Sequence, residues 1–193
     1  MGARAVFLVG FMASGKSTAG RELARRLGWD FVDLDSRIEA RERKSVPQIF
    51  RGDGELAFRL AESNALQDLM QSLERNSVVA LGGGAFAQSQ NRALLGDWPS
   101  VFLNAPVDEL WQRSLTDGIE RPLRKSRDEF ARLHAERLPF YRQATVTVET
   151  AGRGVTSICA EIEAALGLQP ETEGGRHASG ASLSSNSHSG ESQ

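Results

Sequence analysis

The chain has 193 residues, of which 40% are hydrophobic and 25% are charged, as is typical of one globular domain with a sizeable core. A formal net charge of −2 excludes the general positive field with which proteins hold nucleic acids or anionic membranes, so anions must be bound locally. The start of the chain lacks signal-peptide features and no apolar run is long enough to span a membrane, which predicts a cytoplasmic protein.

Short apolar runs alternate along the chain with segments of helical periodicity. Strands are predicted at 5–9, 31–35, 77–81, 101–103 and 146–148, and helices at 17–27, 35–42, 54–74, 107–115, 126–142 and 154–166. This alternation predicts an α/β fold, in which a parallel sheet carries helices on both faces. From residue 170 the composition changes to Ser, Gly, Glu and Asn, which predicts a disordered tail at 170–193 after a single domain at 1–169.

Residues 10–17 read Gly-Phe-Met-Ala-Ser-Gly-Lys-Ser, a complete Walker A sequence between the first strand and the first helix. Its glycines let backbone N–H groups turn toward phosphate oxygens, while Lys16 can neutralise the terminal phosphates and Ser17 can coordinate Mg²⁺. A purely structural glycine turn is the alternative interpretation. The predicted ATP-binding residues here are Ala13, Ser14, Gly15, Lys16, Ser17 and Thr18.

Two acids, Asp33 and Asp35, are predicted at the end of the second strand. The third strand runs into glycines without the acid that supports the metal in many P-loop proteins, so the acid must come from elsewhere. Because the carboxyl ends of parallel strands form the ligand crevice, one of the pair can support a metal and the other can accept a proton from a substrate hydroxyl. The alternative for Asp35 is a helix N-cap.

The glycine triplet 82–84 allows either close backbone approach to a ligand or only a tight turn. Arg59, Arg121 and Arg137 are bidentate donors suited to carboxylate or phosphate, although each alone is more often a surface residue in so arginine-rich a chain. Segment 116–126 resists a regular helix, which favours either a mobile lid that carries Arg121 or an ordinary surface loop.

In order and spacing these motifs resemble the shikimate kinases over nearly all of residues 5–166. The matching segments are 10–17, 31–39, 45–50, 54–62, 82–84, 121–123 and 137–141. The resemblance implies a three-layer P-loop kinase fold, with a five-stranded parallel sheet, a helical substrate-binding region after the second strand and a lid over the nucleotide. It also implies transfer of the ATP γ-phosphoryl group to the 3-hydroxyl of shikimate in chorismate and aromatic amino acid biosynthesis, with ATP and shikimate as partners of a monomer.

The resemblance also implies roles for residues at the acceptor end of the site. Asp35 would hold the substrate hydroxyls and act as the base, while Arg59 and Arg137 would clamp the carboxylate. Gly83, with its neighbours in 82–84, would contact the substrate through its backbone. Glu62 would orient Arg59.

At the nucleotide end, the resemblance implies that Ser17 and Asp33 serve Mg²⁺, the latter through water. Lys16 and Arg121 would stabilise charge on the transferring phosphoryl group. Arg113, on the helix before the lid, would pack against adenine.

Two positions depart from the family pattern. Ala13 stands where glycine is frequent and is expected to fit if its backbone angles are ordinary, whereas Arg124 stands where another apolar residue is usual and is expected to alter lid closure or nucleotide affinity. The competing interpretations are a related P-loop gluconate kinase, and a non-catalytic nucleotide-binding module or GTPase-like switch. The absence of an Asn-Lys-x-Asp motif and the presence of the acids and arginines above favour a shikimate kinase.

Overall fold

Five short parallel strands form the centre of the protein. The computed structural model describes residues 4–116, 118 and 122–171. The strands are β1 (Ala5–Val9), β2 (Asp30–Asp33), β3 (Ser77–Ala80), β4 (Ser100–Asn104) and β5 (Val146–Glu149). They pair in the order β2-β3-β1-β4-β5, with every pair parallel, so the predicted five-stranded parallel sheet is confirmed.

Helices cover both faces of this sheet. They are α1 (Lys16–Leu27), α2 (Leu34–Glu42), α3 (Val46–Gly52), α4 (Gly54–Ser72), α5 (Ser89–Leu95), α6 (Val107–Thr116), α7 (Arg127–Tyr141) and α8 (Val155–Leu166), with a short 3-10 helix at Ala85–Ala87. The prediction missed α3 and α5, because seven residues are too few to show a helical period. A capping box formed by Ser45 and Gln48 marks the start of α3 and was the signal available for it.

Alternate residues of the strands supply two separate cores. Val6 and Leu8 of β1 pack with α1 and α8 on one face, whereas Phe7 and Val9 pack with helices from α2 to α7 on the other. Both sides of β1 are buried, as expected for a central parallel strand. Cys159 of α8 is buried in the first core, where it packs as a small apolar residue.

The strand register brings the predicted functional segments to one edge. Leu8 of β1 and Asp33 of β2 both pair with Ala80 of β3, so the residues that follow these strands lie side by side. The glycine-rich loop follows β1, and the glycine triplet 82–84 follows β3. The carboxyl edge of the sheet therefore gathers the groups that the sequence singled out.

One prediction about the acids is wrong. The strand β2 ends at Asp33, and Asp35 lies in the first turn of α2 instead of at the strand end. The side chain of Asp33 accepts a hydrogen bond of 3.1 Å from the backbone N–H of Asp35, so Asp33 and not Asp35 is the N-cap. This cap starts α2 at Leu34, one residue earlier than predicted, and leaves the carboxylate of Asp35 available for other contacts.

The last described residues lie far from this edge. The N–H of Glu171 donates to the carbonyl of Leu27 at the end of α1, and Asn76, just before β3, donates to the Glu171 carboxylate at 2.7 Å. Most of the predicted tail, 172–193, lies outside the described residues, as do 117 and 119–121 of the predicted lid. None of the described helices is long and apolar enough to cross a membrane.

The loop between β1 and α1 requires unusual backbone angles. Gly10 has φ 145°, Gly15 has φ 90°, and Ala13 between them has φ 62°, in the left-handed region. The condition under which Ala13 was expected to fit, ordinary backbone angles, is therefore not met. A residue with a Cβ is disfavoured there by about 1–2 kcal/mol.

We expect Ala13→Gly to raise the free energy of unfolding by about 0.5–1 kcal/mol, because relief of the left-handed strain exceeds the extra chain entropy of glycine. Denaturant unfolding monitored by circular dichroism measures the change. The matched control is Ala40→Gly at an exposed site within α2, which should lower stability by about 1 kcal/mol. A loss of stability in both variants would contradict the strain assigned to Ala13.

Candidate active site

A cavity of about 920 Å³ opens at the carboxyl edge of the sheet. Its volume is that of a typical small-molecule site. The predicted residues that line it are Ala13, Ser14, Gly15, Lys16, Ser17, Thr18, Asp33, Asp35, Arg59, Glu62, Gly82, Gly83, Gly84, Arg113 and Arg137. Arg121 lies outside the described residues, although Pro122 and Leu123 directly after it also line the cavity.

The glycine-rich loop holds Lys16 at the start of α1. The Lys16 Nζ donates to the carbonyl oxygens of Gly10 at 3.0 Å and Phe11 at 2.8 Å, so its ammonium group lies across the loop. Backbone N–H groups at the first turn of a helix have no partner within the helix, and they carry the positive end of the helix dipole. Together these groups make the loop suitable for the phosphates of a nucleotide.

Ser17 and Asp33 form an oxygen pair beside this loop. The Ser17 hydroxyl donates to Asp33 Oδ2 at 2.7 Å, while Oδ1 of the same carboxylate caps α2. Within the described ranges, no group of three or more His, Cys, Asp or Glu side chains could hold a metal ion. A hydroxyl and one carboxylate nevertheless fit Mg²⁺, which keeps most of its ligands as waters and substrate phosphates.

Asp35 presents a polar atom to the cavity that the protein itself does not satisfy. Its Oδ1 is buried and has no hydrogen-bond partner among the described residues. Burial and the nearby charge of Asp33 raise its pKa from the ordinary 3.8 to about 6, against the opposing effect of Lys16. At neutral pH the carboxylate is therefore mostly ionised and can accept a proton or a hydrogen bond from a ligand hydroxyl.

Arg59 of α4 is held between two acids of its own helix. It donates from Nη1 to Glu62 Oε2 at 2.8 Å, and from Nε and Nη2 to Glu55 Oε1 at 3.3 and 3.1 Å. Glu62 is completely buried, and burial raises its pKa to about 7 although Arg59 opposes the shift. This contact is the one that the family resemblance implied for Glu62.

Arg137 of α7 approaches the same cavity from the other side. It is only 8% exposed, and its Nη1 donates to the carbonyl of Gly83 at 3.2 Å. The Tyr141 hydroxyl donates to the same carbonyl. The carbonyl oxygen of Gly83 therefore accepts hydrogen bonds from two side chains of the protein itself. Any contact between a ligand and the backbone of Gly83 must involve another atom of this residue.

Two lining or supporting residues were not predicted. Arg153 follows β5 and lines the cavity with Arg113, which donates to the carbonyl of Thr150 at 3.4 Å. The position of Arg153 just after a strand was the available signal, since the other strand ends supply the site. Gln88 donates from Nε2 to Glu62 Oε2 at 2.7 Å, a contact that nothing in the local sequence indicates.

The glycines at 82 and 84 let charged side chains approach the backbone. A Cβ at position 82 would stand 2.6 Å from Asp35 Oδ1 and 2.7 Å from Glu62 Oε1, and one at position 84 would overlap the guanidinium of Arg59. Such distances are too short for real atoms, so a side chain at either position would displace these groups. Close packing against charged groups is therefore the reason for glycine here, instead of a tight turn alone.

We expect Gly82→Ala to lower the free energy of unfolding by about 1–3 kcal/mol, because both carboxylates must move to admit the methyl group. Thermal and denaturant unfolding measure the loss. Gly52→Ala at the end of α3 is the matched control, since a Cβ there would meet nothing within 4 Å, and it should leave stability unchanged or slightly higher. Equal effects of the two substitutions would show that the crowding at position 82 does not constrain the protein.

Comparison with known proteins places this geometry in a family. The family model described as shikimate kinase matches residues 12–166. A shikimate kinase from Halorhodospira halophila is 46% identical over 170 residues, which cover 86% of this chain and 94% of the relative.

Solved structures agree in fold. A shikimate kinase from Acinetobacter baumannii in complex with shikimate superposes with a TM-score of 0.79 at 34% identity, covering 86% of this chain and 94% of the other. A gluconokinase from Sinorhizobium meliloti has a TM-score of 0.56 at 21% identity, covering 85% of this chain and 91% of that one, which shows a shared fold and nothing about substrate. With its family model matched over most of the described domain, the chain belongs to the shikimate kinase family.

Proposed function

We propose that the protein transfers the γ-phosphoryl group of ATP to the 3-hydroxyl of shikimate, giving shikimate 3-phosphate and ADP. The observation that carries the proposal is one cavity in which a phosphate-binding loop faces an ionisable acid with two arginines. Membership of the shikimate kinase family and the likeness to a relative in complex with shikimate support the choice of acceptor. The product leads to chorismate and the aromatic amino acids.

Arg59 and Arg137 bind the carboxylate of the acceptor. They come from different helices, α4 and α7, and both line the cavity. Arg59 is only 16% exposed and Arg137 only 8%, so little water screens their charges. A planar guanidinium matches a carboxylate with two parallel hydrogen bonds, and this geometry fixes the orientation of the ring that carries the hydroxyls.

The opposite end of the cavity holds the donor. Lys16 and the first turn of α1 bind the phosphates, and Ser17 and Asp33 would hold Mg²⁺, which the family resemblance implies for Asp33 through water. The metal ion supplies positive charge that offsets the charge on the phosphate oxygens during transfer. Arg113 packs against adenine, near Arg153, and Arg121 is assigned to the transferring phosphoryl group from the family resemblance.

Asp35 takes the proton of the reacting hydroxyl. As the oxygen–phosphorus bond to the acceptor forms and the bond to ADP breaks, the hydroxyl proton passes to the Asp35 carboxylate. A pKa near 6 keeps this group mostly ionised at neutral pH, yet makes it a better proton acceptor than an ordinary aspartate. The order of the two events is secondary, because phosphoryl transfer depends mainly on positioning and electrostatic stabilisation.

The same proposal covers the rest of the chain. Residues 1–169 form the catalytic domain, with the lid at 116–126, and the segment 170–193 lies outside that domain. Glu171, the last described residue, contacts Leu27 and Asn76 at the amino edge of the sheet, opposite the cavity, which supports an end of the catalytic domain close to this position. We assign the enzyme to the cytoplasm, as a monomer.

We expect Asp35→Asn to lower kcat at least about 10²-fold while the Kd for ATP changes less than about three-fold, because only the proton acceptor is lost.

The same variant, Asp35→Asn, should have a higher free energy of unfolding than wild type at pH 7. Burial raises the folded-state pKa from 3.8 to about 6, so the free energy of unfolding falls as pH rises through this window and the ionised carboxylate destabilises the fold above it. We expect a gain of about 1–3 kcal/mol at pH 7 that shrinks toward pH 4.

Arg59→Ala tests the acceptor end separately. The KM for shikimate should rise about 10²-fold with a smaller change in kcat, because a charge-assisted pair is lost in both ground and transition states. Arg25→Ala removes an exposed arginine paired with Glu22 and serves as the control. Steady-state kinetics and ATP titration measure these changes, and near-normal turnover of both site variants would refute the assignment.

A further inference from the structure

We infer that Gln88 is a positioning residue for the acceptor carboxylate, acting through Glu62 on Arg59. The inference rests on the proposed function, in which Arg59 binds that carboxylate. Glu62 Oε2 accepts two hydrogen bonds, one from Arg59 Nη1 at 2.8 Å and one from Gln88 Nε2 at 2.7 Å. The two donors come from different parts of the chain, α4 and the segment after the glycine triplet.

The hydrogen bond from Gln88 is important because Glu62 is completely buried. Glu62 is 0% exposed, so no bulk water can replace a lost hydrogen bond, and its Oε1 already lacks a partner among the described residues. The charged groups around Glu62 are Arg59, Asp35 and Arg137. Without Gln88, the arginine of its own helix would be the sole donor described for this carboxylate, which could then follow every movement of the arginine.

Gln88 itself is held on a rigid segment. The Gln90 Nε2 donates to Gln88 Oε1 at 3.3 Å and to Ser63 Oγ at 3.0 Å, which leaves the nitrogen of the Gln88 amide facing Glu62. Side chains of α5 fix the preceding turn as well, because Asn91 donates to the carbonyl of Ala85 at 3.0 Å. A side chain locked in this way can hold its partner within the narrow tolerance that a binding site needs.

The network links two walls of the cavity. Arg59 lies on the helical wall made by α4, and its guanidinium packs against Gly84 on the opposite wall. Gln88 ties Glu62 to that opposite wall through a side chain, four residues after Gly84 in the chain. The position of Arg59 relative to the glycine triplet is thereby fixed from both sides.

The experiment compares Gln88→Leu, which removes the donor at similar size, with Gln67→Ala, an exposed glutamine of α4 outside the network. We expect Gln88→Leu to raise the KM for shikimate about three- to ten-fold, with kcat and the KM for ATP within about two-fold. In an Arg59→Ala background the same substitution should have no further effect on the KM for shikimate, because the residue acts through Arg59. A wild-type KM, or an equal effect in both backgrounds, overturns the inference.

Gln88→Glu gives a second readout that a merely structural role would not produce. Above pH 7, where Glu62 is itself ionised, the introduced carboxylate cannot donate to Glu62 and should raise the KM at least as much as leucine does. As pH falls, protonation restores an O–H donor, so the KM relative to wild type at the same pH should recover for Gln88→Glu and not for Gln88→Leu. If the relative KM values of Gln88→Glu and Gln88→Leu change in parallel with pH, the inference is overturned. An unchanged KM in Arg59→Ala alone would instead refute the proposed function of Arg59.

Discussion

The parallel pairing of β1, β2 and β3 is the constraint on which the site depends. Because the strands run in the same direction, the loop after β1, the acids after β2 and the glycines after β3 must meet at one edge. Segments far apart in the chain thus line a single cavity of about 920 Å³. The first turns of α1 and α2 lie at the same edge, and charged side chains of α4 and α7 line the cavity there.

Charge balance is the second requirement of this edge. Asp35 and Glu62 are ionisable groups held close to the backbone of Gly82, where a Cβ would touch both. Their raised pKa values reflect the cost of burying charge, and Arg59 offsets part of that cost. Such a site trades stability for reactivity, since the groups that destabilise the fold are those assigned to binding and proton transfer.

Much of this was predictable because its signals are local in sequence. The Walker A loop is a contiguous motif. Asp33 and Gly83 were predicted at the cavity because ligands bind at the carboxyl ends of parallel strands, and both residues line it. The start of α2 was misjudged because the sequence could not show which aspartate caps it. The left-handed angle of Ala13 was missed because a local pattern does not give φ. The contact of Gln88 with Glu62 joins residues 26 positions apart, so only the packing of α4 against the glycine segment reveals it.

The most direct test of the account is release of ADP from Mg-ATP by the purified full chain, with shikimate, with gluconate and with no acceptor. The account predicts strong stimulation by shikimate alone, and a product in which ³¹P NMR shows a phosphate ester on the 3-hydroxyl. Equal stimulation by gluconate, or binding of ATP without stimulation by either acid, would contradict the proposed function while leaving the P-loop kinase fold intact.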